Sequence, residues 1–277
     1  MTLFDAFLLG ALQGLTEFLP ISSSGHLVIA QTLMKMDVVA LKSFDIAVHF
    51  GTLLAIAVYF WKDITMLWHA FWSYIFGMRG EKAGEVLRQN QTLVGYLMLA
   101  TIPAIIVTLF LEKWVDAIFY NPRSVAILTV VVGMAFFGVE YIASKLTPSK
   151  IGLRQAIFIG CAQAIALMPG VSRSGITISA GLLQGIKREE AARFSFLLGG
   201  VAILAGTLYA VMEIARGKYS LPALDTLAVG IGTSFAFGIG AISFLMKYLK
   251  KHTLNIFGIY RILLGIVLFY FMSNKIL

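Results

Sequence analysis

Two short polar segments interrupt long apolar stretches of this 277-residue chain, and they hold the side chains with the greatest capacity for chemistry. The first segment reads QGLTEFLPISSSGH over residues 13–26, and the second reads PGVSRSGIT over residues 169–177. An ionisable group at membrane depth is costly and by default indicates a functional site. Serines can cap a following helix, whose free backbone N–H groups then favour an anion, phosphate especially. We therefore predict an anion site where the two segments meet.

Four residues would give this site its charge and its proton chemistry. Gln13 and Glu17 are four residues apart, so they share one helix face. His26 falls in the first turn of the helix after the first break and could move protons. The planar fork of Arg173 suits phosphate oxygens. This collection fits a phosphorylated or diphosphorylated ligand, and the further candidates to bind it are Ser22, Ser24, Ser172, Ser174 and Thr177.

Structural interpretations of the same residues stand beside the functional ones. Ser, Gly and Pro also form ordinary loops and caps. Glu17 could serve only as the partner of Arg173, and His26 only as a hydrogen-bonding group at a helix start. Asp45 and His49 share a helix face and could line the same cavity. Structural roles are expected for Gln163, which would bond between helices, and for Glu140, Glu213 and Arg261.

The composition describes the kind of protein that must position this site. Hydrophobic residue types make up 59% of the chain and charged types 13%, and the mean hydropathy is +0.86. A soluble domain carries about 25% charged residues, so an ordinary soluble enzyme is excluded, and disorder is excluded as well. The net charge of +8 lies in short loops, where anionic lipid headgroups explain it without a nucleic-acid partner.

Six apolar stretches are long enough to cross a bilayer. They cover residues 44–61, 91–111, 122–143, 193–213, 223–246 and 254–273. Two further apolar regions, about 2–36 and 152–186, are divided by the polar segments into flanks that are short for a full span. We expect each to form a re-entrant helix-loop-helix, with two broken but crossing helices as the alternative. Residues 62–90 mix Trp with charged residues, which predicts an amphipathic surface helix followed by a polar loop.

The two broken regions match each other at a constant offset of 150 residues. Gly10 and Gln13 recur as Gly160 and Gln163, and the S-x-S-G run at 22–25 recurs at 172–175. Three full spans lie between the copies, so the second copy enters from the opposite side, as in inverted-repeat transporters. We therefore predict an all-α integral membrane protein with one membrane domain over residues 1–277. Its repeats would cover about 1–143 and about 151–277.

The basic residues predict an orientation for this six-span topology. One side of the membrane carries fourteen Lys and Arg residues and the other carries seven, with Arg261 inside a span. The richer side should be cytoplasmic. Both termini and the mouth of the first re-entrant segment would then face outward.

On these motifs the chain resembles the undecaprenyl-diphosphate phosphatase family, also called the bacitracin-resistance membrane phosphatases. The resemblance rests on Gln13-x-x-x-Glu17, on the P-x-S-S-S-G-H run that follows, on residues 169–177 and on FSFLL at 194–198. It implies a bacterial plasma-membrane hydrolase that converts undecaprenyl diphosphate to undecaprenyl phosphate and inorganic phosphate. Such an enzyme recycles the lipid carrier for peptidoglycan synthesis and confers bacitracin resistance. The family's fold has inverted repeats and an outward-facing site, and the resemblance allows a homodimer.

The resemblance also implies a divalent cation, Mg²⁺ or Ca²⁺, and roles for the site residues. Glu17 and Gln13 would hold the metal, although many members carry Glu at the first of these positions. A single carboxylate suffices in principle, because Mg²⁺ commonly uses one or two carboxylates and the phosphates of the substrate. Glu17, Ser23, His26 and Arg173 are the predicted catalytic residues. Ser23 activated by His26 is the preferred nucleophile, with His26 itself or a metal-bound water as competitors.

A transporter is the competing function class. A flippase for a polyprenyl phosphate would also use inverted repeats, broken helices and an arginine near the midplane. It would not need a proton-transferring His26 or a metal-binding Glu17, and these residues favour the phosphatase. A structural scaffold is disfavoured by the cost of polar groups inside the bilayer.

Overall fold

The computed structural model describes residues 1–37, 41–77, 84–119, 121–217 and 221–274. Over these ranges the chain is α-helical, and its β-structure is limited to one bridge between Ser149 and Ile186. The helices are α1 (Leu3–Phe18), α2 (Ser23–Leu33), α3 (Lys42–Tyr59), α4 (Trp61–Ile75), α5 (Glu85–Phe119), α6 (Pro122–Ala143), α7 (Leu153–Ile165), α8 (Arg173–Leu183), α9 (Arg188–Ala215), α10 (Leu224–Leu249) and α11 (Asn255–Ser273). This confirms the predicted all-α class.

Six of the described helices are long and apolar enough to cross a membrane. They are α3, the Glu85–Leu111 part of α5, α6, α9, α10 and α11. Each corresponds to one of the six predicted stretches. The largest differences are in α5, which runs from Glu85 to Phe119 instead of 91–111, and at the start of α9, which begins at Arg188 instead of residue 193. The additional first turns include charged residues.

Both broken regions form the expected helix, loop and second helix. α2 and α8 have 11 residues each, or about 17 Å of helix, which is well short of a span of about 30 Å. Within each region the two helices contact each other. The re-entrant course through a bilayer stays a prediction.

Matching helices of the two repeats pack on matching partners. α1 packs along α10, and α7 packs along α5. A Cβ on Gly10 would lie 2.5 Å from the carbonyl oxygen of Gly230, and one on Gly160 would lie 2.5 Å from that of Ala100. The two repeat-related glycines therefore allow the same close helix approach in both copies. This packing relates α1 to α7 and α10 to α5, while α6 and α11 pack on each other.

α4 follows α3 after a break at Phe60 and corresponds to the predicted amphipathic helix. Trp61, Trp68 and Phe76 in and beside it are exposed, while Ala70 is buried and the helix packs against α5. Most of the predicted polar loop lies at 78–83, outside the described residues. α5 begins at Glu85, so the loop ends sooner than predicted.

Candidate functional site: a polar cleft between two broken helices

The two loops adopt the same unusual backbone conformation. Ser22 and Ser172, 150 positions apart, are the N-caps of α2 and α8, and their φ angles are +76° and +73°. A residue with a side chain rarely adopts this left-handed region, and such residues concentrate at functional sites. Their hydroxyls lie 3.5 Å from Ser24 Oγ and 3.3 Å from Ser174 Oγ respectively. The repeat in sequence is thus also a repeat in local geometry.

Arg261 of α11 joins the two loops through their backbone carbonyls. Arg261 is fully buried in α11, and its guanidinium donates to the carbonyls of Pro20 at 3.3 Å and Gly170 at 2.5 Å. It also donates to the carbonyl of Thr129 at 3.2 Å. The structural role expected for Arg261 is therefore to hold the two polar segments together, because it binds the backbone of both at once.

Glu17 is the centre of the polar network. Its carboxylate forms an ion pair with Arg173 of the opposite repeat and accepts from Ser23 Oγ at 2.6 Å and from Gln13 Nε2 at 2.9 Å. His49 Nε2 lies 3.7 Å from the same carboxylate. Of the side chains predicted to converge, Glu17 and Arg173 meet here across the two repeats, together with Gln13 and Ser23.

Arg173 is held in place from two directions. One guanidinium nitrogen contacts Glu17, and the other donates to the carbonyl of Gly199 at 3.1 Å. The loops are also joined directly, since Ser174 Oγ lies 3.2 Å from the carbonyl of Leu19. The arginine at the start of α8 is thereby directed towards the first repeat.

The expected contact between Ser23 and His26 is not made. His26 Nδ1 donates to the carbonyl of Ser22 at 2.7 Å, and its Nε2 lies 2.7 Å from the hydroxyl of Tyr260. Both ring nitrogens are therefore engaged, and the ring stacks on Tyr260. The geometry pairs Ser23 with Glu17 instead.

A cleft of about 910 Å³ opens from this network. Its polar end is lined by Glu17, Ser22, Ser23, Ser24, Ser172 and Arg173. Its apolar walls come from α5 and α9, with Ile105, Leu109, Phe110, Ile203 and Tyr209 among the lining residues. Such a cavity fits a ligand with a charged head and an apolar tail.

The other predicted site residues lie outside the lining of this cleft. Gln13, His26, Ser174 and Thr177 are buried. Thr177 Oγ1 bonds the carbonyl of Arg173 at 2.7 Å and the hydroxyl of Ser195 at 2.6 Å. In this structure these residues support the lining residues instead of facing the cleft.

His49 and Gln163 line the cleft, although neither is among the site residues predicted from the sequence. His49 lines it, and its Nδ1 donates to the carbonyl of Asp45 at 2.7 Å, so that Nε2 faces Glu17. Asp45 itself does not line the cleft and accepts from Gln31 at 2.7 Å. Gln163 also lines the cleft, and the expectation that it bonds between helices is wrong, because neither of its amide atoms has a partner in the described residues. The match of Gln163 with Gln13 in the sequence repeat is the feature from which a place for Gln163 in the site could be predicted.

The donor set fits a hard divalent cation that is shared with a phosphate ligand. The described residues contain no group of three or more His, Cys, Asp or Glu side chains suited to a metal. However, the buried Oε1 of Gln13 lacks a hydrogen-bond partner, and its amide nitrogen contacts Glu17. One carboxylate and one amide oxygen suit Mg²⁺ or Ca²⁺ when phosphate oxygens complete the shell.

The fold and site together define a multi-pass membrane protein with a polar cleft between two repeat-related, broken helical regions. The chain matches the family described as "Bacitracin resistance protein BacA" over residues 6–267, and it belongs to that family. Among its relatives, a protein of Desulforudis audaxviator is 39% identical over 96% of both chains. A protein of Rubrobacter xylanophilus is 40% identical over 96% of both chains. A protein of Thermodesulfovibrio yellowstonii is also 40% identical, over 98% of this chain and 99% of its own length. All three relatives are named undecaprenyl-diphosphatase.

Proposed function

We propose that this protein hydrolyses undecaprenyl diphosphate to undecaprenyl phosphate and inorganic phosphate. The observation that carries the proposal is the continuity of the cleft, which joins the Glu17–Arg173 pair to the apolar walls of α5 and α9. A diphosphate head and a polyprenyl tail match its two ends. The names of the relatives support the same reaction.

The terminal phosphate would lie against Arg173 and the first turn of α2. No side chain caps that turn, so its backbone N–H groups are free to meet an anion. At α8, by contrast, Ser172 Oγ already accepts from the backbone N–H of Gly175 at 3.2 Å. Ser22, Ser24 and Ser172 would add hydroxyl donors around the phosphate.

Ser23 is the proposed nucleophile and Glu17 the group that takes its proton. The Ser23 oxygen would bond to the terminal phosphorus as the bridging P–O bond breaks, and undecaprenyl phosphate would leave. Water would then cleave the phosphoserine, releasing inorganic phosphate and restoring the serine. In the free protein Glu17 accepts from Ser23 through Oε2 and pairs with Arg173 through Oε1. A phosphate that draws Arg173 away would leave Oε1 to the metal, while Oε2 takes the proton of Ser23.

His26 and the metal complete the proposed site. His26 holds the carbonyl of Ser22 and thereby positions the turn that precedes Ser23. Glu17 and Gln13 would hold Mg²⁺ or Ca²⁺, which when bound would neutralise charge on the phosphate oxygens. An attack by His26 or by water, in place of Ser23, predicts that Ser23→Ala retains near-normal turnover.

The proposed setting is the plasma membrane of a bacterium, with the cleft mouth and both termini on the outer face. The excess of basic residues on the opposite side supports this orientation. There the reaction would recycle the lipid carrier for cell-wall synthesis. It would also confer bacitracin resistance, as the family description suggests. A homodimer is a proposed assembly.

The first experiment measures phosphate release from undecaprenyl diphosphate by purified protein in detergent, with Mg²⁺, with Ca²⁺ and with EDTA. We expect metal-dependent release, and we expect Arg173→Ala to lower kcat/KM about a thousand-fold or more. Arg193→Ala is the matched control, because Arg193 pairs with Asp63 away from the cleft.

Folding must be checked in the same preparation, since Arg173→Ala leaves the buried Glu17 charge without its partner. The double variant Glu17→Gln with Arg173→Ala removes both charges and should stay folded but inactive. Near-normal release by Arg173→Ala and by Glu17→Gln, each made alone, would contradict the site. Absence of release by folded wild type under every metal would contradict the function.

A lipid carrier is the second candidate, and one observation favours it. The groove between α9 and α5 is open, whereas the related helices α3 and α10 pack closely. An alternating carrier would exchange these two arrangements. Transfer of a labelled polyprenyl phosphate across liposomes by a hydrolysis-deficient variant would support it, and no transfer would exclude it.

A further inference from the structure

Gln163 stands apart from the other polar side chains of the cleft. It lies in the last turn of α7 and is only 2% exposed. Neither its Nε2 nor its Oε1 has a hydrogen-bond partner among the described residues, although it lines the cleft together with Ser172 and Arg173. A buried amide without partners is costly to the folded state, and native proteins keep few of them.

In the two other buried glutamines of the described residues the amide nitrogen has a partner, although the amide oxygen does not. Gln13, the repeat mate of Gln163, donates its Nε2 to Glu17 at 2.9 Å. Gln31 donates its Nε2 to Asp45 at 2.7 Å. The repeat position of Glu17 in the second copy is Leu167, so the carboxylate that would satisfy Gln163 is absent there. The amide donor of Gln163 is therefore free on the wall of an anion site.

We propose that Gln163 is a substrate-binding residue, which donates its side-chain Nε2 to a phosphate oxygen of the diphosphate head. This assignment rests on the proposed function and adds a ligand contact to it. Arg173 supplies the charge at this wall, and Gln163 supplies a neutral donor from α7. A hydrogen bond to a charged group in a dry site is stronger than one between neutral groups.

The test compares activity with stability in Gln163→Leu, which keeps the approximate shape and removes both amide atoms. We expect kcat/KM for undecaprenyl diphosphate to fall about ten- to hundred-fold, as for the loss of one hydrogen bond to a charged group. We expect the melting temperature in the same detergent to be unchanged or raised, because two unsatisfied polar atoms have been removed. A residue that only supports the fold would lower both quantities together.

Two further variants sharpen this result. Gln163→Glu places a carboxylate against the phosphate and should lose more activity than Gln163→Leu. Gln31→Leu is the matched control for a glutamine with a structural partner, and it should lower the melting temperature. Wild-type kcat/KM in Gln163→Glu, or a clear loss of stability in Gln163→Leu, would overturn the assignment.

Failure of the assignment can be told apart from failure of the function. If wild type releases no phosphate from the lipid, hydrolysis is contradicted, and Gln163 is then judged by binding of labelled inorganic pyrophosphate. Weaker pyrophosphate binding by Gln163→Leu than by wild type would support the contact. Equal binding by the two proteins would overturn it.

Discussion

The two halves of the molecule differ most in how a repeat-related pair of helices meets. α3 and α10 pack closely, whereas α9 and α5, their counterparts, meet along a short stretch and leave the cleft between them. Small residues explain the closed pair. A Cβ on Gly51 would lie 2.5 Å from the carbonyl oxygen of Ile231, and one on Gly238 would lie 3.0 Å from Ala55 Cβ. At the open pair, a Cβ on Gly206 would meet nothing within 4 Å.

The loops show a second divergence within the same plan. Position 23 carries the serine that bonds Glu17, and its repeat mate, position 173, carries the arginine that pairs with the same carboxylate. On the next helix of each repeat, His49 of α3 faces Glu17, while its repeat mate Gly199 of α9 accepts from Arg173 through its backbone carbonyl. The repeat thus builds one asymmetric site, because each copy supplies a different chemical group at the same place.

Arg261 binds the backbone of both loops, so its removal tests how the two unlike loops are held together. The face of α6 opposite Arg261 has Gly133, whose added Cβ would lie 2.9 Å from Arg261 Cβ, so α6 supplies no second arginine there. We expect Arg261→Met to destabilise the protein by about 2 kcal/mol or more, because buried carbonyls of both loops lose their donor. We expect turnover to fall about a hundred-fold as the two loops shift relative to each other.

A purely structural role and a positioning role make different predictions for Arg261→Lys. The lysine keeps the charge but cannot reach several carbonyls at once. We expect it to recover part of the stability, through the carbonyl that the ammonium still reaches, while kcat stays low and KM stays near the wild-type value. Full recovery of kcat together with stability would show that the fork of Arg261 does not position the loops. Thermal unfolding and steady-state kinetics on the same sample measure both quantities.

The same glycine-to-leucine substitution should have different effects in the open groove and in the closed helix pair. Gly206→Leu should narrow the route for the lipid tail and lower kcat/KM for undecaprenyl diphosphate about ten-fold or more, while a short-chain prenyl diphosphate is hydrolysed normally. Gly238→Leu should instead disrupt folding, because the closed pair has no room for the side chain. Kinetics with both substrates and thermal unfolding distinguish the two outcomes.

Gly240 provides the control for this experiment. It lies on α10, and an added Cβ there would also meet nothing within 4 Å. Gly240→Leu gains the same helix propensity as Gly206→Leu, so it should leave the kinetics of both substrates unchanged. An equal loss with long and short substrates in Gly206→Leu would mean that the tail does not pass between α5 and α9.

The sequence was sufficient for the helices and for the convergence of the charges, but not for the directions of individual side chains. Hydropathy located all six spans, and the repeat predicted that Glu17 and Arg173 would meet. The orientation of His26 depends on Tyr260, which is 234 positions away. The amide of Gln163 is without a partner because no neighbouring side chain or backbone group of the described residues bonds it. Such features arise from tertiary packing, which no local spacing encodes.

The smallest expected effect concerns the caps of α2 and α8. Ser172 Oγ accepts from the N–H of Gly175, whereas Ser22 makes no such bond, although both residues have the same positive φ. Ser172→Ala should therefore cost about 1 kcal/mol of stability, and Ser22→Ala should cost less. If the hydroxyl of Ser22 instead serves the ligand, Ser22→Ala will change KM more than it changes the melting temperature. Equal losses of stability in the two variants would mean that the loops do not differ in capping. The proposal that the phosphate binds the N–H groups of α2, and not those of α8, would then have no support from the caps.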